Sequence, residues 1–301
     1  MQVTVSPLKF SSAIDLLRAL AEPTRCRLLA LLRHGELTVG EIAEVLGQSQ
    51  PRISRHLKVL SEVAALGRFR EEQRIYYRLT SDAALVRQVL QHIDADDIAF
   101  TADLKQLSLV LDKRVRHATL GWEAVRRSAE STYGDQQLVS AVLKEVGSGS
   151  LGELLDVGTG SGSMLRVLGG YARYAVGLDN STQALRVARS KIHGAGLNHC
   201  VFKRGDMYEL PFAADSFDVV SFDQVLSTAA QPGQALREAA RVLKRGGRVI
   251  IVEDQQRLQS AVEDKPQVAL RSWLEGAGLR CDKLKPLRTG ERKLLLGLAH
   301  I

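Results

Sequence analysis

The chain has 301 residues, 45% hydrophobic and 25% charged, with 41 Lys and Arg against 34 Asp and Glu for a formal net charge of +7. That balance excludes an intrinsically disordered chain, and no apolar run approaches the roughly 20 residues that cross a bilayer. The length suits two domains, and the excess positive charge favours a polyanion such as nucleic acid. Cys26, Cys200 and Cys281 lie far apart, so a disulfide framework is not expected. The first residues lack a secretion-signal layout, and the reducing cytoplasm is the expected location.

Taken in chain order, a first helix is expected over 12–21, and Pro23 with Thr24 begins a second running to Leu32. Thr38 and Glu41 form a capping box before a helix over 39–46 that Gly47 ends. Ser49 is the expected cap of the next helix, 50–63, with Pro51 in its first turn. Ile53, Leu57 and Leu60 recur at helical spacing and point inward. Gln50, Arg52, Ser54, Arg55 and Lys58 carry hydrogen-bonding or cationic tips suited to base edges and phosphates. Two alternating runs, 66–70 and 74–79, then make a hairpin crowded by Arg68, Arg70, Arg74 and Arg78, as a wing beside a phosphate backbone requires.

This stretch resembles the ArsR family of bacterial winged-helix repressors over about residues 16–79. The matching blocks are Leu20-Ala21-Glu22-Pro23-Thr24-Arg25, Gln48-Ser49-Gln50, Ser54-Arg55-His56-Leu57-Lys58-Val59-Leu60 and the run from Arg74 to Leu79. The resemblance implies a homodimer on double-stranded DNA, with the helix over 82–93 as the dimerisation helix. Candidate DNA contacts are Ser49, Gln50, Arg52, Ser54, Arg55, His56, Lys58, Arg68, Arg70 and Arg74. Metal-sensing members carry a thiol motif where this chain has Thr38-Val39-Gly40, and without thiolates a soft metal has no ligands there. No metal is therefore expected, and the inducer should bind elsewhere.

Residues 82–146 read as helix nearly throughout, with an apolar stripe of Phe100, Leu104, Leu107, Leu111, Val115, Ala118, Trp122 and Val125. Packing onto the neighbouring domain and a dimer-forming coiled coil both fit that stripe. Gly147-Ser148-Gly149-Ser150 reads as a turn rather than a linker. The expected division is a winged helix-turn-helix domain over 1–95, a helical connector or dimerisation segment over 96–135, and an α/β domain over 136–301.

From Leu151 onward, short apolar strands alternate with helices, the pattern of a parallel sheet. The strand 153–157 runs into Gly158-Thr159-Gly160-Ser161-Gly162 and a helix over 163–168. Those glycines let the backbone turn sharply beside a ligand at a helix N-terminus. A second strand, 174–178, ends in Asp179, about 20 residues after the loop, the spacing of a carboxylate that accepts ribose hydroxyls. Further strands are expected over 201–204, 217–222 and 248–252, a helix over 234–243, and a tail of one helix (267–277) and two strands (279–284 and 293–299).

The blocks LLDVGTGSG, VGLDNS, RGDMYELPF, SFDVVSFDQVL and RVLKRGGRVII resemble the class I S-adenosylmethionine-dependent methyltransferases across 151–301. The fold class implied is multidomain: an α+β winged helix-turn-helix, a helical connector, and a Rossmann-like α/β methyltransferase fold with a seven-stranded sheet. The ligand implied is S-adenosylmethionine or S-adenosylhomocysteine. By this resemblance Gly158 and Gly160 face its amino acid part, Asp179 its ribose, Asp206 the adenine amino group and Met207 the ring. Asp223 and Gln224 close the methionine end, and Asp156, Thr159, Gly162 and Asn180 complete the expected set.

Ser227-Thr228-Ala229-Ala230 lacks the aromatic or histidine residues that related fused proteins often carry after this strand. The short run from Glu253 to Pro266 leaves little chain for a lid over an acceptor, and no general base stands out. No catalytic residue is therefore assigned. The expected function is a repressor whose operator affinity follows the bound nucleoside. The alternative is an active methyltransferase targeted by its winged helix; a third reading makes the C-terminal domain an assembly platform.

Overall fold

The computed structural model describes residues 9–71, 74–80, 83–94, 96–119, 136–146, 149–289 and 292–301. Contacts divide the chain into two compact units, Met1–Arg114 and Val115–Ile301.

The first unit packs α1 (Phe10–Leu20), α2 (Pro23–Leu32), α3 (Val39–Leu46), α4 (Gln50–Glu62) and α5 (Ala84–Gln91) against a small antiparallel sheet. Its strands are β1 (Leu37–Thr38), β2 (Leu66–Glu71) and β3 (Arg74–Leu79), in the order β1-β3-β2. The two-residue β1, too short for any periodic signal, was not legible in the sequence; it pairs Thr38 with Tyr76. Ile53, Leu57 and Leu60 of α4 are fully buried, so inward spacing and observed core agree. The Thr38–Glu41 capping box is present in both directions, which leaves the position of a metal-sensing thiol motif occupied by a helix cap. Ser49 sits at the N-cap of α4 but makes no side-chain capping bond.

A longer helix, α6 (Ile98–Thr119), begins in this unit. Its buried line is Asp103, Leu107, Val110 and Arg114, whereas Leu104 of the expected apolar stripe is 38% exposed. The stripe is rotated because two ionic residues take inward positions. Arg27 of α2 grips Asp103 with two bonds of 2.7 and 2.6 Å, and Arg114 grips Glu41 of α3. The side chains of Val115 and Ala118, together with Trp122, Val125 and the Gly147-Ser148 part of the expected turn, lie outside the described residues.

The second unit is a seven-stranded sheet in the order β6-β5-β4-β7-β8-β10-β9. Its strands are β4 (Gly152–Val157), β5 (Ala172–Asp179), β6 (Cys200–Arg204), β7 (Phe217–Asp223), β8 (Leu243–Asp254), β9 (Arg280–Thr289) and β10 (Arg292–His300). Neighbouring strands from β6 through β8 run parallel, while β10 is antiparallel to both of its neighbours. Helices α7 (Gln136–Val146), α8 (Ser163–Leu168), α9 (Thr182–Gly194), α10 (Pro232–Val242), α11 (Gln255–Ala261) and α12 (Pro266–Gly276) complete it. Apolar runs such as Val219, Val220 and Phe222 of β7 and Val249 to Val252 of β8 are buried, as strands covered on both faces demand. Strand order reverses between β4 and β7, which opens a crevice beyond their carboxyl ends. No helix among the described residues is long and apolar enough to cross a membrane.

Removing Asp103 strands a half-covered guanidinium on α2, since the Arg27 side chain retains 29% exposure. Asp103→Ala is expected to destabilise the first unit by about 2–3 kcal/mol, below the cost of breaking a fully buried pair. Urea unfolding checks this; an unchanged midpoint contradicts it.

Candidate ligand pocket and DNA-reading face

The crevice holds a cavity of about 430 Å³, within the roughly 300–1,000 Å³ span of small-molecule sites. One wall is the turn between β4 and α8. Gly158 has φ +67°, and a Cβ there would stand 2.6 Å from a methyl of Val225. Gly162, with φ +82°, would drive a Cβ to 2.9 Å from Ile192. Only glycine lets the turn seat this tightly. The Thr159 amide donates to the Leu178 carbonyl at 2.9 Å, and the Gly160 amide donates to Asp179 Oδ2 at 2.9 Å.

Asp179 is thus the hinge pin of the cavity. Its other oxygen accepts from the Ser181 amide at 2.8 Å. Burial pushes its carboxyl above the usual range, against the backbone bonds from Ser181, Gly160 and Asn180 that favour the charged form. On the same side, Asp206 accepts the Tyr208 amide at 2.9 Å through one oxygen, and Met207 packs against the core beside it. On the far side, Gln224 holds a left-handed backbone, φ +55°, and its amide donates to the Val252 carbonyl at 2.7 Å. Such a conformation costs a non-glycine residue about 1–3 kcal/mol.

Of the expected ligand residues, Gly158, Thr159, Gly160, Asp179, Asn180, Asp206, Met207, Asp223 and Gln224 line this one cavity. Asp156 and Gly162 do not line it; they support the turn from behind. Asp156 is buried on β4 and accepts the Ser221 hydroxyl at 2.7 Å. Burial raises its carboxyl to about 6, only partly offset by the hydroxyls of Thr159 and Ser221. Glu253 is likewise buried and accepts the Leu226 amide at 2.7 Å, which braces the segment after β7.

Ser161, Ser163, Tyr208, Thr228 and Arg257 also line the cavity. The serines and Tyr208 are neighbours of motif residues and could have been found by adjacency. Arg257 had no such signal. It lies on α11, a seven-residue helix capped by Asp254, whose carboxylate accepts the Gln256 and Arg257 amides. The run after β8, expected to leave little chain for a lid over an acceptor, contributes Arg257 to the cavity lining from its first turn.

On the first unit, Ser49, Gln50, Arg52, Ser54, Arg55 and Lys58 are exposed along α4, and Arg68, Arg70 and Arg74 are exposed on the hairpin. Arg52, Arg55 and Arg68 form no ion pair among the described residues. His56 departs from expectation. Its ring is half-buried, with Nδ1 3.4 Å from Glu22 Oε2 at the cap of α2, so it faces into the domain instead of outward with its neighbours. The same Glu22 oxygen accepts the Arg25 amide at 2.8 Å. Arg78 also turns to structure, pairing with the buried Glu36 at 3.2 Å.

A family model described as bacterial regulatory protein, arsR family, matches residues 22–63, and one described as methyltransferase domain matches residues 155–251. The transcriptional repressor SdpR of Bacillus subtilis is 39% identical over 67 residues, which span 22% of this chain and 74% of that protein. The demethylmenaquinone methyltransferase of Halalkalibacterium halodurans is 37% identical over 105 residues, 34% of this chain and 43% of that protein. The methyltransferase YcgJ of B. subtilis is 27% identical over 124 residues, 41% of this chain and 49% of that protein. The chain thus spans less than half the length of these methyltransferases. Among solved structures, a chain of the Haloferax volcanii complex between the Trm112 methyltransferase activator and a methyltransferase aligns with TM-score 0.51 and 22% identity. That alignment covers 62% of this chain and 98% of the other, a likeness of fold. The molecule joins an arsR-type helix-turn-helix domain to a methyltransferase domain. Its N-terminal part belongs to the arsR family of bacterial regulatory proteins.

The Asp156 carboxyl supplies a pH test. Its folded pKa, about 6, lies above the ordinary 3.8, so its proton is held more tightly in the folded state. The stability this confers is complete below about pH 4 and is lost as pH rises through 6. Between pH 5 and 7.5 the native chain should lose about 1 kcal/mol that Asp156→Asn does not lose. Parallel melting profiles for the two proteins over that range contradict the assignment.

Proposed function

We propose that the chain is a DNA-binding transcription regulator, a homodimeric repressor, whose hold on its operator is set by S-adenosylmethionine or S-adenosylhomocysteine in the C-terminal pocket. The observation that carries this reading is the convergence of Asp179, the glycine turn and Asp206 on one cavity in a chain that also exposes a recognition helix. The residues present suit an adenosyl ligand. Gly158 leaves a cradle that a Cβ would fill. Asp206 keeps one carboxylate oxygen outside its bond to the Tyr208 amide, suited to an adenine amino group, with Met207 as an apolar surface for the ring. Asp179 would take ribose hydroxyls, and Gly158 and Gly160 the amino acid end. For such a ligand to regulate, it must bind the DNA-competent and DNA-incompetent states unequally. A coupling of about 1–3 kcal/mol changes affinity 5–150-fold.

The test is operator binding by the full chain, on a duplex selected from a random library, with each nucleoside titrated. Operator affinity should change at least 5-fold at saturation, and Asp179→Ala should abolish the change. Unaltered affinity with the pocket saturated contradicts the proposal.

One observation favours a second reading, an active methyltransferase: α11 brings Arg257 into the lining of the same cavity as Asp223 and Thr228, where it could orient a second molecule. S-adenosylmethionine, when bound, supplies an electrophilic methyl group. On this reading Arg257 would hold an anionic acceptor, and labelled methyl groups should reach a product in the native chain and not in Arg257→Ala.

A further inference from the structure

Outside the pocket, Arg114 of α6 is a buried cation bonded to two other segments. Its guanidinium is 3% exposed and lies 2.6 Å from Glu41 Oε2 through Nη2. Nε donates to Glu41 Oε1 at 2.7 Å, and Nη2 also approaches the Glu36 carbonyl at 3.3 Å. The charge stands 5.9 Å from the centre of the Tyr76 ring. These partners belong to three parts of the DNA reader. Glu41 caps α3; Glu36 immediately precedes β1; Tyr76 lies on β3, the second strand of the wing, opposite Thr38. The cap in turn adjoins the recognition helix, since a Cβ on Gly40 would stand 3.7 Å from Gln50 Nε2.

An apolar pair at positions 41 and 114 would fill this site with less desolvation cost, because a buried ion pair contributes little net stability and its best-attested use is to fix register. Asp103 and Arg114 stand one at each end of the apolar seam of Leu107 and Val110, and both are paired with the reader. Arg114 is the pin that touches the helix-turn-helix and the wing together.

We propose that Arg114 is a positioning residue for DNA recognition: its bidentate grip on Glu41, over Tyr76, sets the relative placement of the recognition helix and the wing. The inference rests on the DNA-binding half of the proposed function and not on the nucleoside half. It therefore stands if nucleosides prove inert.

The test uses the full chain in whichever nucleoside condition gives the tighter native complex, and compares Arg114→Met, Glu41→Gln and the double variant. Glu41→Gln keeps an amide oxygen for the Thr38 cap while losing the charge. Each single variant should reduce the preference for operator over random duplex at least 5-fold, and the double variant should be no worse than the more affected single one, the signature of one shared interaction. Nucleoside affinity and the melting of the second unit should stay at native values. A purely structural pair would lower the melting temperature and leave the operator preference intact, and that result overturns the proposal. Losses that simply add in the double variant overturn it too. If Arg114→Met does not melt cooperatively, Glu41→Gln alone decides: native operator preference refutes the role, and a reduced one with a native melting temperature supports it.

Discussion

The second unit turns on one carboxylate. Asp179 accepts the amide of Gly160 through one oxygen and that of Ser181 through the other. It thereby binds the turn after β4 to the start of the helix after β5. It adds a second tie to the bond between the Thr159 amide and the Leu178 carbonyl, so the glycine turn is held to β5 at two points. Burial opposes the charge on Asp179, and the backbone donors Ser181, Gly160 and Asn180 favour it. Asp206 lines the same cavity, and Asp156 supports the turn from behind.

The reader is organised differently. Its core is apolar, yet α6 is held to it by ionic side chains that turn inward, Asp103 to Arg27 and Arg114 to Glu41. Burial pushes the Glu41 carboxyl up, and the Arg114 charge and hydrogen bond, with those from Thr38, bring it below its usual value. One carboxylate therefore serves both a helix cap and an ion pair. This economy links the position of α6 to the geometry of α3, where the helix-turn-helix begins.

Much of this was legible from residue order. Strand-turn-helix patterns gave the sheet, the spacing from Gly158 to Asp179 gave the pocket, and Thr38 with Glu41 gave a cap that the structure reproduces. What escaped notice was tertiary. Nothing local marks Arg257 as a pocket residue, because its place depends on where β8 ends relative to β7. His56 reads as a DNA contact in a basic helix until Glu22, thirty-four positions earlier, turns out to face it. Hydrophobic periodicity puts Leu104 on the buried stripe of α6 because it cannot anticipate that Asp103 and Arg114 have partners inside.

The central claim is that ligand and DNA act on one equilibrium, and linkage makes this measurable from the ligand side. Calorimetric titration of S-adenosylhomocysteine, and then of S-adenosylmethionine, into the full chain with and without saturating operator is the most direct measurement. For the regulating nucleoside, the dissociation constant should shift on DNA by the same factor by which that nucleoside shifts operator affinity. Dissociation constants identical on and off DNA, for both nucleosides, would contradict the account.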